Sequence, residues 1–234
     1  MLPFGAVNTK NRFEFLGVDT CHRPISLKEI IVQARLAGAG LVGQRVKREM
    51  EFDVAVEVKA KIAQSTGKKA IFRQVIGILV LLRKNTKLLW TGEADPLSPP
   101  TAKSFDTPSE QISLTSDAPR DWVMVCNDIN PIHISSLAAK LFGFSGKIAH
   151  GNHVVVLMVS KLGGELSKQE MGKLIWDSQT PCFVEVAFKC PMVLPIFPKT
   201  KFAVESASGV QNSRFFEAVG KDDKTHVEGS WGVL

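Results

Sequence analysis

The stretch V-C-N-D-I-N-P-I-H-I-S-S-L-A-A-K-L-F-G-F-S-G-K-I-A-H-G-N-H-V-V-V-L-M-V, from Val125 to Val159, decides how this chain folds and what chemistry it carries. It begins with a short polar loop that holds Asp128, Asn130 and His133. A small amphipathic segment follows, and then a turn leads into a long apolar run. Each of these three parts predicts a local structure.

The polar loop places a carboxylate and an imidazole five residues apart, with Pro131 between them. Proline interrupts a regular helix and biases the preceding residue, Asn130, towards an extended conformation. The bent segment predicted here turns Asp128 and His133 into one space, where together they can bind and deprotonate a water molecule. An Asn-Pro turn with a capping aspartate is also common in proteins, so the loop alone leaves both interpretations open.

A short amphipathic helix is predicted directly after the loop, over about 136–142. Ser135 or Ser136 can cap its first turn. Gly143 ends it, because glycine adopts the backbone conformation that terminates helices at low cost. The apolar side chains that share one side of this helix are Leu137, Leu141 and Phe142.

The apolar run after Gly151 forms a second predicted helix. Periodicity alone does not distinguish a buried strand from a buried helix here. The length of the segment, Asn152 to Leu162, favours a helix that ends at Gly163-Gly164. Because it has no polar face, this helix must be surrounded by protein on nearly every side. Its first amides would point towards the polar loop and favour negative charge there.

At this point the sequence resembles the MaoC-like (R)-specific enoyl-CoA hydratases and dehydratases. Their signature is a small residue, Gly, Asp, any residue, Asn, Pro, an aliphatic residue and His, followed later by an aliphatic residue, Ala, His and Gly. Cys126 fills the small position, and an alanine stands six residues after the His. The spacing to His150-Gly151 is similar too. The positions that match the first part are Asp128, Asn130, Pro131, Ile132 and His133.

The resemblance implies an α+β hot-dog fold, in which an antiparallel sheet wraps around one long apolar helix. It also implies addition of water to a trans-2-enoyl thioester, or its removal from the (R)-3-hydroxyacyl thioester. Asp128 and His133 would hold and activate the water, and Asn130 would organise the loop. The amide of Gly151 would bind the thioester carbonyl, whose oxygen gains charge in an enolate-like state. No metal or redox cofactor is implied.

Three more residues near the loop are candidates for binding the substrate: His150, Asn152 and Lys147. Asn152 and His153 depart from the family, which often has Met and a bulky residue there, and they put polar groups beside the path of an acyl chain. Asn127 replaces the glycine before the Asp, and we expect it to strain the loop or alter the water site. The upstream aromatic residue is missing from its usual position, and a substitute stands one position away, Trp122.

Three other interpretations stay open. A non-catalytic subunit that binds acyl thioesters or a partner chain would account for the substitutions after Gly151. A thioesterase of the same fold would use Asp128 as its base. A zinc site is the third, because His150 and His153 have helical metal-binding spacing and Asp128 and His133 would complete it. The predicted turn already accounts for His150.

The 234 residues suit one large domain or two domains of ordinary size. Residues 1–95 are predicted to form mostly strands, with apolar and charged residues alternating from Arg48 to Ala63 and an apolar strand from Lys69 to Arg83. Prolines make 96–115 a linker, and 116–234 carries the motif. We therefore predict two hot-dog repeats in tandem, the first degenerate because it lacks the motif. Further strands are predicted at Lys10–Val18, Leu88–Gly92, Cys182–Lys189, Lys201–Ser206, Ser213–Gly220 and Thr225–Gly229.

Composition limits the class of protein. A net charge of +6 and a pI near 9.2 suit a polyanionic ligand such as acyl-CoA or acyl-ACP, whereas scattered basic residues and the lack of a motif argue against nucleic acid. Four cysteines without C-x-x-C spacing indicate reduced thiols and a cytoplasmic protein, with mitochondria and peroxisomes left open. No apolar run reaches the roughly 18 residues that span a bilayer. The predicted assembly is a homodimer or a pseudo-dimeric double hot dog, with His22 and His226 at its surface.

Overall fold

A computed structural model of the protein describes residues 6–17, 30–36, 43–46, 49–61, 67–81, 110–165, 181–204 and 214–234. Within these residues the first half forms the strands β1 (Ala6–Phe15), β2 (Ile30–Leu36), β3 (Gly43–Val46), β4 (Glu49–Lys61) and β5 (Lys68–Leu81). The strands of the second half are β6 (Glu110–Gln111), β7 (Cys182–Phe188), β8 (Lys199–Val204), β9 (Arg214–Val219) and β10 (Thr225–Val233). Its helices are α1 (Ala118–Cys126), α2 (Pro131–Ile134), α3 (Ser136–Leu141) and α4 (Gly151–Glu165).

One antiparallel sheet joins the two halves. Its strand order is β2-β4-β5-β1-β7-β10-β9-β8-β6, with β3 paired to β4. Strand β1 pairs with β5 on one side and with β7 on the other, so it forms the seam between the halves. Because side chains alternate along a strand, β1 presents residues of the first half to the second on both faces of the sheet.

The core of the second half lies where α4 packs on the sheet. Val154 and Met158 of α4 are fully buried, and the helix predicted over 152–162 is confirmed. The prediction that protein surrounds this helix on nearly every side is too strong, because Val156 is 51% exposed. Buried residues of the same cluster in the strands and their connections include Leu114, Val186, Phe216, Val227 and Trp231.

The predicted strands are confirmed wherever the structure describes them. The alternating segment 48–63 contains β4 and the apolar segment 69–83 contains most of β5. Strand β1 starts earlier than predicted and ends at Phe15. The remaining strands of the second half follow their predicted segments, with β10 extending further, to Val233. The strand predicted at Leu88–Gly92 lies outside the described residues.

The predicted linker, 96–115, overlaps the sheet at its end. Strand β6 pairs with β8, and Leu114 forms a bridge with Ile196. These residues therefore belong to the second half, because their backbone groups complete its edge. Residues 96–109 lie outside the described residues, and the division into 1–95, 96–115 and 116–234 otherwise stays a prediction.

His226 is not at the surface as predicted. Its side chain is 8% exposed, and its Nδ1–H donates to the carbonyl of Cys190 at 3.3 Å. His226 and Val227 are both buried at the start of β10, where the pairing with β9 is irregular between Thr225 and Val227, so simple alternation does not apply there. His22 lies outside the described residues. No helix among the described residues is both long and apolar enough to cross a membrane.

Helix α3 matches its prediction in position and in its ends. Ser135 is the cap, since its Oγ accepts from the N–H of Ala138 at 3.2 Å, and Gly143 has the predicted left-handed backbone, with φ of 87°. The buried residue of this helix is Ala139, whereas Leu137 is 72% exposed and Leu141 is 81% exposed. The apolar side of α3 thus faces away from the core.

Candidate active site

The loop begins where α1 ends, at Asn127. This residue has φ of 54° and ψ of 27°, and its N–H donates to the carbonyl of Val123 at 2.8 Å. Asparagine is, after glycine, the residue most often found in this left-handed helix cap. Asn127 therefore preserves a turn that suits glycine, and the cap places Asp128 immediately after it.

Helix α1 was not predicted from the sequence, although a signal for it exists. Asp117 precedes the helix and Pro119 lies in its first turn, a position that proline favours because it lacks an N–H that would have no acceptor there. Pro119 is also buried, so it anchors the helix against the core. The consequence is that the loop starts from a rigid element and not from the end of a linker.

Pro131 starts a helix instead of preventing one. Asn130 is extended, as predicted, with φ of −79° and ψ of 121°, and its Oδ1 accepts from the N–H of Ile132 at 3.4 Å. Proline fits the first turn of a helix. The prediction of a bend at Asn130 is confirmed, whereas the expectation that no helix follows is wrong for the four residues of α2. This helix carries His133.

His133 is held by the segment that leads into α4. Its Nδ1 lies 2.8 Å from the carbonyl oxygen of Ile148, and the N–H of Ile148 donates to the carbonyl of Ile132 at 3.3 Å. A carbonyl only accepts, so Nδ1 carries the proton and Nε2 keeps a lone pair. Burial lowers the pKa of His133, although the bond to Ile148 and the charge of Asp128 oppose this effect. At neutral pH this side chain is a neutral imidazole able to accept a proton.

His150 joins Asp128 to His133. The rings of His133 and His150 stack with their centroids 3.7 Å apart, and Nδ1 of His150 lies 3.4 Å from Oδ2 of Asp128. His150 is 4% exposed, and burial, together with His133, lowers its pKa to about 4 against the opposing charge of Asp128. The predicted pair is therefore a contiguous cluster of three side chains, in which Asp128 is 58% exposed and faces solvent.

Gly151 is the first residue of α4, and only glycine fits there. A Cβ at this position would lie 2.4 Å from Cε1 of Phe188 on β7, closer than real contacts allow. The carbonyl of His150 accepts from the N–H of Val154 at 3.2 Å, which closes the first turn. The first amides of a helix have no intrahelical acceptor and favour negative charge. The amide of Gly151 is therefore suited to a carbonyl oxygen that gains charge.

Both residues after Gly151 that depart from the family are held by neighbours. Oδ1 of Asn152 accepts from Nδ2 of Asn11 on β1 at 2.7 Å. The ring of His153 stacks on Trp122 of α1, with centroids 4.9 Å apart and planes 8° apart. Burial lowers the pKa of His153. Trp122 thus lies beside the start of α4, in keeping with its expected use in place of the missing aromatic residue.

Asn11 was missed by the sequence analysis. A signal for it was present in N-R-F-E-F. Asn11 lies on the same side of the strand as two phenylalanines, Phe13 and Phe15, so an amide stands where the pattern predicts an apolar residue. The pairing of β1 with β7 then places Asn11 opposite Val186, which is in the core. Without knowledge of that pairing, the hydrogen-bond partner of the amide cannot be predicted.

The structure bears on the predicted role of Lys147 and on the zinc site considered above. The ammonium of Lys147 donates to the backbone carbonyl of Ser116, so it is engaged away from the cluster of Asp128, His133 and His150. Its binding to substrate remains a prediction. In the part of the chain that the structure describes, no three His, Cys, Asp or Glu side chains are arranged as they would be around a metal ion.

Comparison with known proteins adds a family and a fold. Residues 99–173 match the model of the MaoC like domain, a range that contains the whole cluster and Gly151. A 3-hydroxyacyl-thioester dehydratase X from Mycobacterium tuberculosis is 29% identical over 163 residues, which cover 68% of this chain and 49% of that protein. The chain therefore spans about half the length of this curated relative.

Two solved structures share the fold. A MaoC-like dehydratase from Phytophthora capsici superposes with a TM-score of 0.71 at 15% identity, covering 100% of this chain and 73% of that one. A conserved hypothetical protein of Mycobacterium tuberculosis, described as a double hot-dog fold, gives 0.50 at 11%, covering 97% and 74%. At these identities the likeness concerns the fold alone. The resemblance drawn from the loop is thus confirmed: residues 99–173 match the MaoC like domain, and the chain shares the fold of solved hot-dog proteins.

Proposed function

We propose that this chain is a hydro-lyase that adds water to a trans-2-enoyl thioester, or removes it from the (R)-3-hydroxyacyl thioester. The observation that carries the proposal is the contact of Asp128, His150 and His133 beside the first turn of α4. A relative at 29% identity is named a 3-hydroxyacyl-thioester dehydratase, which supports this reaction class. The substrate would be an acyl-CoA or an acyl-ACP.

The reacting water would lie between Asp128 and His133. Nε2 of His133 has the lone pair that accepts a proton, because Nδ1 donates to Ile148. As the water oxygen bonds to C3 of the enoyl group, one of its protons moves to this pair. The same pair returns a proton to C2, so a single set of groups accounts for addition on one face.

Gly151 would stabilise the charge that develops during this reaction. When oxygen adds to C3, electron density moves through C2 to the thioester carbonyl. The amide of Gly151, at the N-terminus of α4, would donate a hydrogen bond to that oxygen. The ring of Phe188 packs close to Gly151, leaving no room for a Cβ, and this packing would help to hold the amide in position.

His150 fits a role in holding Asp128 better than its predicted role in binding substrate. A carboxylate only accepts, so Nδ1 of His150 carries the proton directed at Asp128, although 3.4 Å is long for a hydrogen bond. Its low pKa keeps the ring neutral at neutral pH. Burial lowers the pKa of His133 as well, so both rings are neutral at neutral pH.

The sheet supports a pseudo-dimer over a homodimer as the basic unit. Strand β1 of the first half and β7 of the second half are paired within one chain, so one continuous sheet already joins the two halves. We therefore propose that the first half takes the place of a second subunit. Residues 1–95 would then be the degenerate repeat.

The test is hydration of crotonyl-CoA, followed by loss of the conjugated enoyl absorbance. Asp128→Asn and His133→Asn should each lower kcat by about 100- to 10,000-fold, the range for loss of acid–base groups. Asp222→Asn is the matched control, since it neutralises an exposed carboxylate in the turn before β10. Turnover retained by the first two variants would reject these roles. Release of free thiol would indicate a thioesterase, and binding without either reaction a non-catalytic subunit.

A further inference from the structure

A row of three amide side chains runs from the first half of the chain to the first turn of α4. Asn11 is fully buried on β1. Its Oδ1 accepts from Nε2 of Gln74 on β5 at 3.4 Å, and its Nδ2 donates to Oδ1 of Asn152 at 2.7 Å. A buried amide is costly unless it is hydrogen-bonded, so this row has a defined direction.

The direction of the row fixes the orientation of Asn152. Since Oδ1 of Asn152 accepts from Asn11, its Nδ2 turns away from β1. Asn152 is half-buried, and its Nδ2 is not among the buried, unbonded side-chain atoms of the described residues. Its two N–H donors therefore point away from Asn11, towards the side from which a ligand could approach. The methionine that the family often has at this position has no such donor.

Asn152 directly follows Gly151, whose amide is suited to a thioester carbonyl. We propose, resting on the proposed function, that Asn152 donates a second hydrogen bond to the acyl thioester and that Asn11 is the positioning residue that aims it. The acceptor would be the carbonyl oxygen next to the reacting carbons. The first half of the chain thereby contributes to a site whose titratable groups all lie in the second half.

Two variants distinguish loss of the Asn152 hydrogen-bond donor from loss of the packing around Asn152. Asn152→Asp keeps the oxygen that accepts from Asn11 and replaces the N–H donors with an acceptor. Asn11→Asp can only accept, so Asn152 must turn its amide around and present Oδ1 to the substrate. Asn8→Asp makes the same chemical change at an exposed position of β1 and serves as the matched control.

We expect Asn152→Asp and Asn11→Asp each to lower kcat/KM for crotonyl-CoA by about 10- to 100-fold, near the lower range for loss of an oxyanion donor. In an Asn152→Met background, which already lacks the donor, Asn11→Asp should lower kcat/KM little further. Asn8→Asp should match the wild type. Asn152→Met should lose activity like Asn152→Asp. A purely structural role would instead spare Asn152→Asp, which keeps the acceptor for Asn11, and would lower activity in Asn152→Met alone.

The outcomes distinguish this inference from the proposed function. If the wild type hydrates crotonyl-CoA and Asn152→Asp does so equally well, the inference is overturned and the proposed function stands. If the wild type shows no hydration, the proposed function fails, and calorimetric binding of butyryl-CoA decides the inference. A Kd about tenfold weaker in Asn152→Asp would support the donor, and an equal Kd would overturn it.

Discussion

The two halves of the sheet lie side by side at β1 and β7 but contribute unlike groups. The second half supplies every titratable member of the cluster: Asp128, His133 and His150. The first half supplies a neutral amide, Asn11, on the inner face of β1, while its neighbour Arg12 forms ion pairs on the opposite face. In the proposed mechanism, chemistry and placement are thus divided between the halves, and the alternation of one strand lets it present side chains to both faces.

In the second half, Gly151→Ala should lower both stability and activity. The new Cβ would lie 2.4 Å from Cε1 of Phe188, so either α4 or the ring must move. We expect a loss of about 1–3 kcal/mol in the free energy of unfolding, as for an overpacked core. We also expect at least about a 100-fold loss in kcat, because the displaced amide no longer meets the carbonyl. Urea unfolding and the hydration assay measure the two effects.

Gly67→Ala is the control for this change, since a Cβ at Gly67 meets nothing within 4 Å. It should leave kcat unchanged and alter the free energy of unfolding by less than about 0.5 kcal/mol. Adding Phe188→Leu to Gly151→Ala should restore part of both losses by making room for the methyl group. Wild-type stability and activity in Gly151→Ala would show that α4 is not fixed by this contact.

A smaller effect should appear as a pH dependence of stability that arises in the second half. The pKa of His133 and of His153 is lowered by burial, and that of His150 is lowered to about 4, from an unfolded value of about 6.5. Between those values the unfolded chain binds more protons. The free energy of unfolding is therefore full above about pH 7 and falls as the pH drops towards 4, by an amount on the order of a few kcal/mol.

Replacing His150 by Asn tests the source of this slope. The variant retains an N–H near Asp128 but cannot be protonated, and it removes the ring that stacks on His133. Urea unfolding at several values between about pH 4 and pH 7 should give a flatter dependence than in the wild type. An unchanged slope in His150→Asn would assign the pH dependence to other groups.

The sequence predicted those parts of the site that depend on neighbours in the chain. The bend at Asn130, the Ser135 cap and the left-handed Gly143 follow from rules that act over a few residues. The contact between Asn11 and Asn152 links residues 141 apart, and it depends on the register of β1 against β7. Asn11 was unusual as an amide on the apolar side of a strand, but nothing in the sequence identified its hydrogen-bond partner.

Which side chains are buried also depends on packing between distant parts of the chain, so local patterns do not reveal it. The pattern of α3 showed that Leu137 and Leu141 share a side, but a helix of six residues does not reveal which side faces the core. Ala139 is the buried residue because the small side chain lets α3 approach its neighbours closely. In α4 the apolar run identified the helix, whereas the run does not reveal that Val156 is exposed, because exposure depends on which distant elements pack around the helix.

The smallest expected effect comes from replacing Arg12, which lies on the face of β1 opposite Asn11, where β1 pairs with β7. Its Nη1 lies 2.7 Å from Oε2 of Glu185, its Nε lies 2.7 Å from Oε1 of Glu14, and its guanidinium lies 4.4 Å from the ring centre of Phe183. The register places Arg12 directly opposite Glu185, so this pair spans the two halves. Because the side chains are 31% and 30% exposed, solvent screens the attraction.

We therefore expect Arg12→Met to lower the free energy of unfolding by about 1 kcal/mol or less, and by less still at high salt. A double-mutant cycle with Glu185→Gln isolates the coupling energy of the ion pair between β1 and β7. Lys189→Met with Glu228→Gln gives the same quantity for an ion pair within the second half, whose atoms lie 2.6 Å apart. Arg12→Met should leave kcat/KM unchanged, unlike Asn11→Asp one residue away. A matching loss of activity in Arg12→Met would mean that the seam as a whole, and not the inner face of β1, positions the site.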